Sequence, residues 1–297
     1  MARTKRSRAG ERTIEWSLAA CAYASVLALG GIFALLLWQG SKAFRDVPIL
    51  EFLTSARWDP TSPESAGYGI WAMVASTFLA SLGAMAITVP LGVGAAAYLS
   101  EFADRRVREF LKPAIEMLAG VPSVVVGFLG VVVVGPWIAR AFHVPNGLNA
   151  LNGAILLSVM CLPTVVSLSE DALRAVPQEH RQASLALGAN PWETLVRVTF
   201  PGALPGIVAA VMLGLGRAIG ETMTVLMACG NAPAFPTGFL SAVRTMTATI
   251  AIELGEVPQG TAHYLALFAV GFALFLLSFA VNFAADWILH RFQGGRR

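Results

Sequence analysis

Six apolar runs, separated by segments that hold most of the charged residues, set the plan of this 297-residue chain. They cover roughly residues 17–38, 70–99, 114–142, 153–168, 202–228 and 264–289. A helix needs about 20 apolar residues to cross the hydrocarbon of a bilayer. Each run therefore predicts a spanning helix, the fourth short and the second and third long. Pro90 falls inside the second run, and a proline removes one helical hydrogen bond, so a bend is expected there. The first run follows Arg3, Lys5, Arg6, Arg8 and Arg12, as a secretory signal would. At about 22 residues it exceeds a signal's apolar core, and no small-x-small cleavage site follows, so it predicts an uncleaved first helix.

Composition agrees with this plan. Hydrophobic residues make up 56% of the chain, the mean hydropathy is +0.66, and 13% of residues are charged. That is about half the charged share of a soluble domain. The net charge of +3 and pI near 9.0 raise nucleic acid as a partner. The basic residues lie instead in short segments between apolar runs, with no basic stripe and aromatic platform, so no nucleic acid is expected. Their distribution orients the chain. Arg105, Arg106, Arg108 and Lys112, then Arg174, Arg181 and Arg197, then Arg291, Arg296 and Arg297 fall on the same side as the basic N-terminal tail. The positive-inside rule puts that side in the cytoplasm. The expected organisation is a cytoplasmic tail over 1–16, a membrane domain over 17–290 and a cytoplasmic tail over 291–297. Trp16, Trp38, Trp71, Trp137 and Trp287 fall at run ends, where an aromatic belt belongs. Cys21, Cys161 and Cys229 lie in apolar runs and read as small hydrophobes. His143, His180, His263 and His290 lack metal-ligand spacing and read as solvated or interfacial.

The segment 170–201, between the fourth and fifth runs, is longer than a simple connector needs. Residues 178–187 predict a short helix carrying Ala183, Leu185, Ala186 and Leu187. Gly188 permits the positive φ that ends it. Asn190 then caps a second helix, with Pro191 at its first position and Glu193 completing a capping-box pattern. That helix is expected to run until Pro201. The product is a protruding helix–turn–helix, either a connector or a docking surface. Across the membrane, within residues 230–263, Phe239-Leu240 and residues 249–254 predict a helix lying against the outer mouth or a re-entrant piece.

The fifth run contains an ionisable pair, Arg217 and Glu221, four residues apart on one expected helix face. Each such charge costs roughly 2.5–3.5 kcal/mol at a bilayer centre, so both should face the bundle interior or a water-filled cavity. Either the pair locks the bundle, or Arg217 binds an anion while Glu221 holds its guanidinium in place. A planar guanidinium suits an oxyanion because it offers two parallel hydrogen bonds. Thr222 and Thr224 would add neutral donors. Glu116, at the start of the third run, either lines the cytoplasmic mouth or is an interfacial, solvated glutamate. Ser76 and Thr77 either face a pathway or bond back to their own helix.

Gln182-Ala183-Ser184, three residues, Gly188, nine residues, then Val198-Thr199-Phe200-Pro201 resembles the EAA loop of importer-type ABC permeases. Ala183, Gly188 and Pro201 match in register. Gln182, Ser184, Val198 and Phe200 replace the family's Glu, Ala, Ile and Leu. Gly216-Arg217-Ala218-Ile219-Gly220-Glu221-Thr222-Met223, with Gly230-Asn231 after it, is similar to phosphate permeases, on the PstC side of the PstC/PstA pair. So are Ala119-Gly120-Val121-Pro122-Ser123-Val124-Val125 and Thr245-Met246-Thr247-Ala248. The resemblance implies an all-α integral membrane protein with six transmembrane helices and type I ABC importer architecture. It implies residues 179–189 as a coupling helix docked on an ATP-binding subunit. It also implies a sister permease (PstA-like), two ATP-binding subunits (PstB-like), a periplasmic phosphate-binding protein (PstS-like) and phosphate as cargo. No GxxxxGK[ST] loop occurs, so ATP hydrolysis is expected in the partners, and no cofactor is implied. Sulfate or molybdate remain as other cargoes. An ion-coupled carrier would bring its own inverted repeat and coupling-ion site. A membrane-embedded phosphate-handling enzyme would need a nucleophile beside a base. Neither feature is visible in the sequence.

Overall fold

A computed structural model describes residues 5–62 and 65–294. Residues 1–4 and 295–297 of the two expected tails, with Arg3, Arg296 and Arg297, lie outside the described residues. Helix α1 (Lys5–Ala43) leads through α2 (Ile49–Thr54) and two short strands to α3 (Trp71–Glu101). The strands, β1 (Trp58–Asp59) and β2 (Gly67–Tyr68), pair antiparallel with Trp58 opposite Tyr68. Next come α4 (Arg105–Leu118), α5 (Ser123–Leu129), a π-helical turn over Gly130–Val134 and α6 (Gly135–Phe142). Helix α7 (Ala150–Arg174) is followed by the short helices α8 (Gln178–Ala186) and α9 (Pro191–Thr194). A second π-helical turn (Leu195–Thr199) joins α9 to α10 (Phe200–Gly220). Helices α11 (Met223–Ala228), α12 (Met246–Glu253) and α13 (Ala262–Gly294) complete the chain.

Among the described residues, six helical stretches are long and apolar enough to cross a membrane: Ile14–Ala43, Trp71–Glu101, Ser123–Phe142, Ala150–Arg174, Pro191–Gly220 and Ala262–Ala284. The number of spans agrees with the hydrophobic pattern, and several boundaries move. The third span starts at Ser123, not near 114. Residues 105–118 form a separate amphipathic helix, and the chain breaks at Gly120-Val121-Pro122, where the proline disfavours helix for the residue before it. Glu116 therefore belongs to α4 and opens no span. The fourth span is longer than its apolar run, because it reaches to Arg174 through Ser169, Glu170 and Asp171. The fifth begins at Pro191 and ends at Gly220. Pro201 does not end it: the wider π turn stops just before α10, whose first residues include this proline.

The centre of the bundle is α3 against α7, with α10 packed against both. Small residues set the spacing, as expected where apolar surface alone does not draw helices together. Val165 of α7, fully buried, lies between Gly92 of α3 and Gly214 of α10. A Cβ added at Gly214 would lie 2.8 Å from Val165 Cγ2. Helix α1 packs along α13 through Phe33, whose ring centroid is 5.5 Å from those of Phe272 and Phe275. The hydroxyls of Ser76 and Thr77, both buried, donate to the carbonyls of Ala72 and Met73, so back-bonding within α3 accounts for them.

Candidate functional site

Residues 170–201 fold as their punctuation demands. Helix α8 ends before Gly188, which takes φ +89°. Asn190 caps α9 by accepting from Glu193 N at 2.9 Å, and Glu193 Oε2 accepts from Asn190 N at 2.9 Å. This is the reciprocal capping box. Helix α8 is two-sided. Arg181 is buried, with Nη2 3.1 Å from Glu101 Oε1 and donating to Leu173 O at 2.6 Å. Ser184 Oγ and Thr194 Oγ1 are hydrogen-bonded at 3.0 Å. Gln182, Ala183, Leu185, Ala186 and Leu187 are exposed, Leu187 at 89%. The face carrying Gln182 and Ala183 thus points outward from the bundle.

The Arg217–Glu221 pair departs from its expected geometry. Helix α10 stops at Gly220, and Glu221 is extended at φ −69°, ψ 135°. The two side chains do not share a helical face, and among the described residues they form no ion pair. Arg217 is exposed, and its Nη1 donates to Thr164 Oγ1 of α7 at 3.3 Å. Glu221 Oε1 accepts from Thr224 N at 3.4 Å, at the start of α11. Its carbonyl accepts from Thr247 Oγ1 at 2.8 Å. Thr222 Oγ1 turns back to Gly220 O at 3.4 Å. The arrangement leaves a guanidinium held by a neutral hydroxyl beside a break in the helix. Glycine at 220 followed by the polar residues Glu221 and Thr222 is the local signal for that break, which hydropathy alone does not show.

Thr247 belongs to α12, whose first turn is packed inside the protein. Residues 245–249 are all buried, Thr245 caps the helix by accepting from Ala248 N, and Met246 N donates to Thr77 Oγ1 at 3.2 Å.

Sequence reasoning missed two polar clusters. At the α8 end, the fully buried carboxylate of Glu170 lies 3.0 Å from Arg108 Nη2, 2.9 Å from Lys112 Nζ and 3.1 Å from Arg174 Nε. The bond to Glu170 is the main cause that raises the Lys112 pKa, against partial burial that lowers it. At the other end, Glu253 accepts from Arg244 Nη1 at 2.8 Å and from Trp58 Nε1 at 3.0 Å, and pairs with His263 Nε2 at 2.8 Å. His263 is therefore part of a polar cluster and only partly exposed. These residues line a cavity of about 450 Å³ with Asp59 and Glu256. Arg174 is one turn from Glu170, but Arg108 and Lys112 come from α4 and Trp58 lies 195 positions from Glu253, so local spacing does not reveal either cluster.

Similarity to known proteins supplies the family. The model of the binding-protein-dependent transport system inner membrane component matches residues 88–294. A probable ABC transporter permease, YqgH of Bacillus subtilis (strain 168), is 36% identical, over 88% of this chain and 84% of the relative. The phosphate transport system permease protein PstC of Mesorhizobium japonicum is 34% identical, over 92% of this chain and 88% of the relative. PstC 2 of Mycobacterium tuberculosis is 35% identical, over 94% and 91%. Among solved structures, a bacterial ABC transporter that imports alginate matches with a TM-score of 0.62 and 16% identity, covering 95% of this chain and 98% of that one. The MetNI methionine transporter in an inward-facing form matches with a TM-score of 0.57 and 21% identity, covering 75% and 94%. At these identities the structures establish the fold, that of ABC importer permeases. Taken with the six spans and the two-sided α8, the matches make this chain a multi-pass membrane protein that belongs to the binding-protein-dependent transport system inner membrane components.

Proposed function

We propose that this chain is the PstC-like half of the translocation pathway of an ATP-driven phosphate importer. The observation that carries the cargo is Arg217, an exposed guanidinium within a membrane span, bonded to the neutral Thr164 rather than to a carboxylate. A guanidinium without a carboxylate partner keeps its paired N–H donors for a tetrahedral oxyanion. Glu221, held at the helix break with Thr222, shapes the pathway beside it. The relatives named as phosphate permeases support phosphate over sulfate or molybdate.

The α8 end is cytoplasmic on this reading, because Arg105, Arg106, Arg108, Lys112, Arg174, Arg181 and Arg197 all cluster there. The exposed face of α8 then seats in a groove of an ATP-binding subunit, in the helix-in-groove mode. Gln182 reaches that groove as a neutral hydrogen-bonding side chain in place of the family's carboxylate. Gly188 and Pro201 fix where the second helix begins and enters the membrane. The remaining partners are a second ATP-binding subunit, a PstA-like sister permease and a PstS-like periplasmic protein. Closure of the ATP-binding subunits pushes α8 against the bundle and switches access around Arg217.

Vesicles reconstituted with the whole complex test this. Arg217→Ala should abolish ATP-driven phosphate uptake while the complex still assembles, and Arg217→Lys should recover only part, since one ammonium lacks the paired donors. Unchanged uptake in Arg217→Ala refutes the cargo site. Stimulation of ATP hydrolysis by phosphate, but not by sulfate or molybdate, sets the cargo. Phosphate uptake by this chain without ATP-binding subunits refutes the ABC mechanism.

A further inference from the structure

Arg181 faces away from the docking surface. It occupies the fourth position of α8, and Ser184 lies one turn on, on the same face. Its side chain is 11% exposed, that of Glu101 14%. A single nitrogen, Nη2, meets Glu101 Oε1 at 3.1 Å and Leu173 O at 2.6 Å. Glu101 is the last residue of α3, and Leu173 is the penultimate residue of α7 and fully buried. One guanidinium therefore joins α8 to the ends of the two most buried helices. The second attachment, Ser184 to Thr194, leads into α9 and so to α10. The two attachments end on the helices that carry Thr164 and Arg217.

We propose that Arg181 is a positioning residue for transport, a strut that transmits displacement of α8 to α3 and α7, rather than a residue that binds the ATP-binding subunit. The proposal rests on the reading of α8 as the coupling helix. A push on the exposed face reaches α7 through a short, charge-assisted, water-poor contact, which holds its geometry better than an exposed ion pair would. Without the strut, α8 stays docked but slides relative to α3 and α7, and ATP hydrolysis proceeds without moving the bundle. Arg181 thus controls the number of phosphate ions moved per ATP, and the exposed Gln182, Leu185 and Leu187 control whether the subunit stays bound.

The complete complex in proteoliposomes, with phosphate-loaded binding protein, separates these roles. Three quantities are read on the same preparation: ATP-binding subunit retained on purification, ATP hydrolysis, and phosphate uptake. Arg181→Met, which keeps an apolar stem in the same space, should retain the subunit and hydrolysis while uptake per ATP falls about tenfold, within the usual span of coupling between sites. Glu101→Gln keeps the bond to Leu173 O and should give the same defect in milder form. Leu185→Asp should instead release the subunit. Arg181→Met with uptake per ATP unchanged, or with the subunit lost, overturns the strut. Should the Arg181→Met permease fail to accumulate in the membrane, Glu101→Gln decides: uptake per ATP equal to that of the parent overturns it. A subunit retained by Leu185→Asp and by Gln182→Ala counts against α8 as the docking helix, a separate failure from that of the strut.

Discussion

Replacing Glu170 by Gln should loosen helix α4 while leaving the membrane bundle intact. None of α4's own residues is buried, so packing does little to hold it. What holds it is charge: Arg108 and Lys112 of α4 reach the Glu170 carboxylate at 3.0 and 2.9 Å, and Arg174 approaches from α7 itself at 3.1 Å. The carboxylate is fully buried, whereas the three cations are 31%, 29% and 35% exposed. Breaking a buried ion pair costs about 3–5 kcal/mol, and here the freed cations recover water, so the lower end, about 3 kcal/mol, applies. Felt as local opening, that is on the order of a hundredfold faster amide exchange across 105–118. Hydrogen–deuterium exchange on the assembled complex in nanodiscs measures it, with α7 peptides as the internal reference. Arg108→Gln leaves Lys112 in place and should give roughly a tenth of the effect. Arg174→Gln, which removes no bond between α4 and α7, should change α4 least. The pH dependence follows from Lys112. Its pKa is raised, so its contribution is fully present below the ordinary lysine value and is lost only as pH rises past that range. Protection of α4, corrected for intrinsic exchange, should be flat between about pH 6 and 9. Exchange of α4 in Glu170→Gln equal to that of the parent, or an equal effect of Arg174→Gln, refutes the tether.

Three further outcomes are expected. Gly214→Ala places a methyl 2.8 Å from Val165 Cγ2 and should cost about 1–3 kcal/mol, seen as a lower thermal transition of the purified complex. Gly214→Ala with Val165→Ala should recover most of it, and no recovery argues against that contact. Asn190→Ala removes the cap on α9 and should cost about 1 kcal/mol, with faster exchange confined to 190–194. Glu253→Ala strips Arg244, Trp58 and His263 of their shared acceptor and should cost about 3 kcal/mol, read as faster proteolysis within 231–261 than in Glu253→Gln. Equal cleavage of the two variants means that the carboxylate position does not need filling.

Whatever depends on neighbours along the chain was legible before any coordinates. Apolar length set the number of spans, and Gly188, Asn190, Pro191 and Glu193 set the turn, cap and capping box of the α8–α9 pair. Boundaries were less legible, because hydropathy averages over residues. At 114–122 it merged an amphipathic helix with a span, and at 220–222 it ran across a break that two glycine and glutamate backbones create. The clusters around Glu170 and Glu253 were not legible. Their members are up to 195 positions apart, and each alone resembles an ordinary interfacial residue. The basic residues near Glu170 had been weighed for orientation alone. They do cluster at one end of the bundle, and they also build its only described attachment of α4 to α7 by charge.

Burial separates the polar residues of the spans into two kinds, and the separation bears on the pathway. Ser76, Thr77 and Thr88 are buried, and each returns its hydroxyl to a carbonyl one turn back. A neutral hydroxyl satisfied in this way costs little in a dry bundle and says nothing about cargo. A charge has no such local remedy, since helix carbonyls four residues back cannot neutralise a guanidinium. Glu101, Glu170 and Arg174 meet the requirement by pairing at the helix ends. Arg217 does not: it lies in the last turn of α10, exposed, against the hydroxyl of Thr164. A structural lock would bury the guanidinium and bring a carboxylate to it, and Glu221, four residues on, was the obvious candidate. The extended backbone at Glu221 instead turns that carboxylate toward the start of α11. The same local break that defeats the expected ion pair therefore leaves the guanidinium without a carboxylate partner among the described residues, as the proposed phosphate site requires.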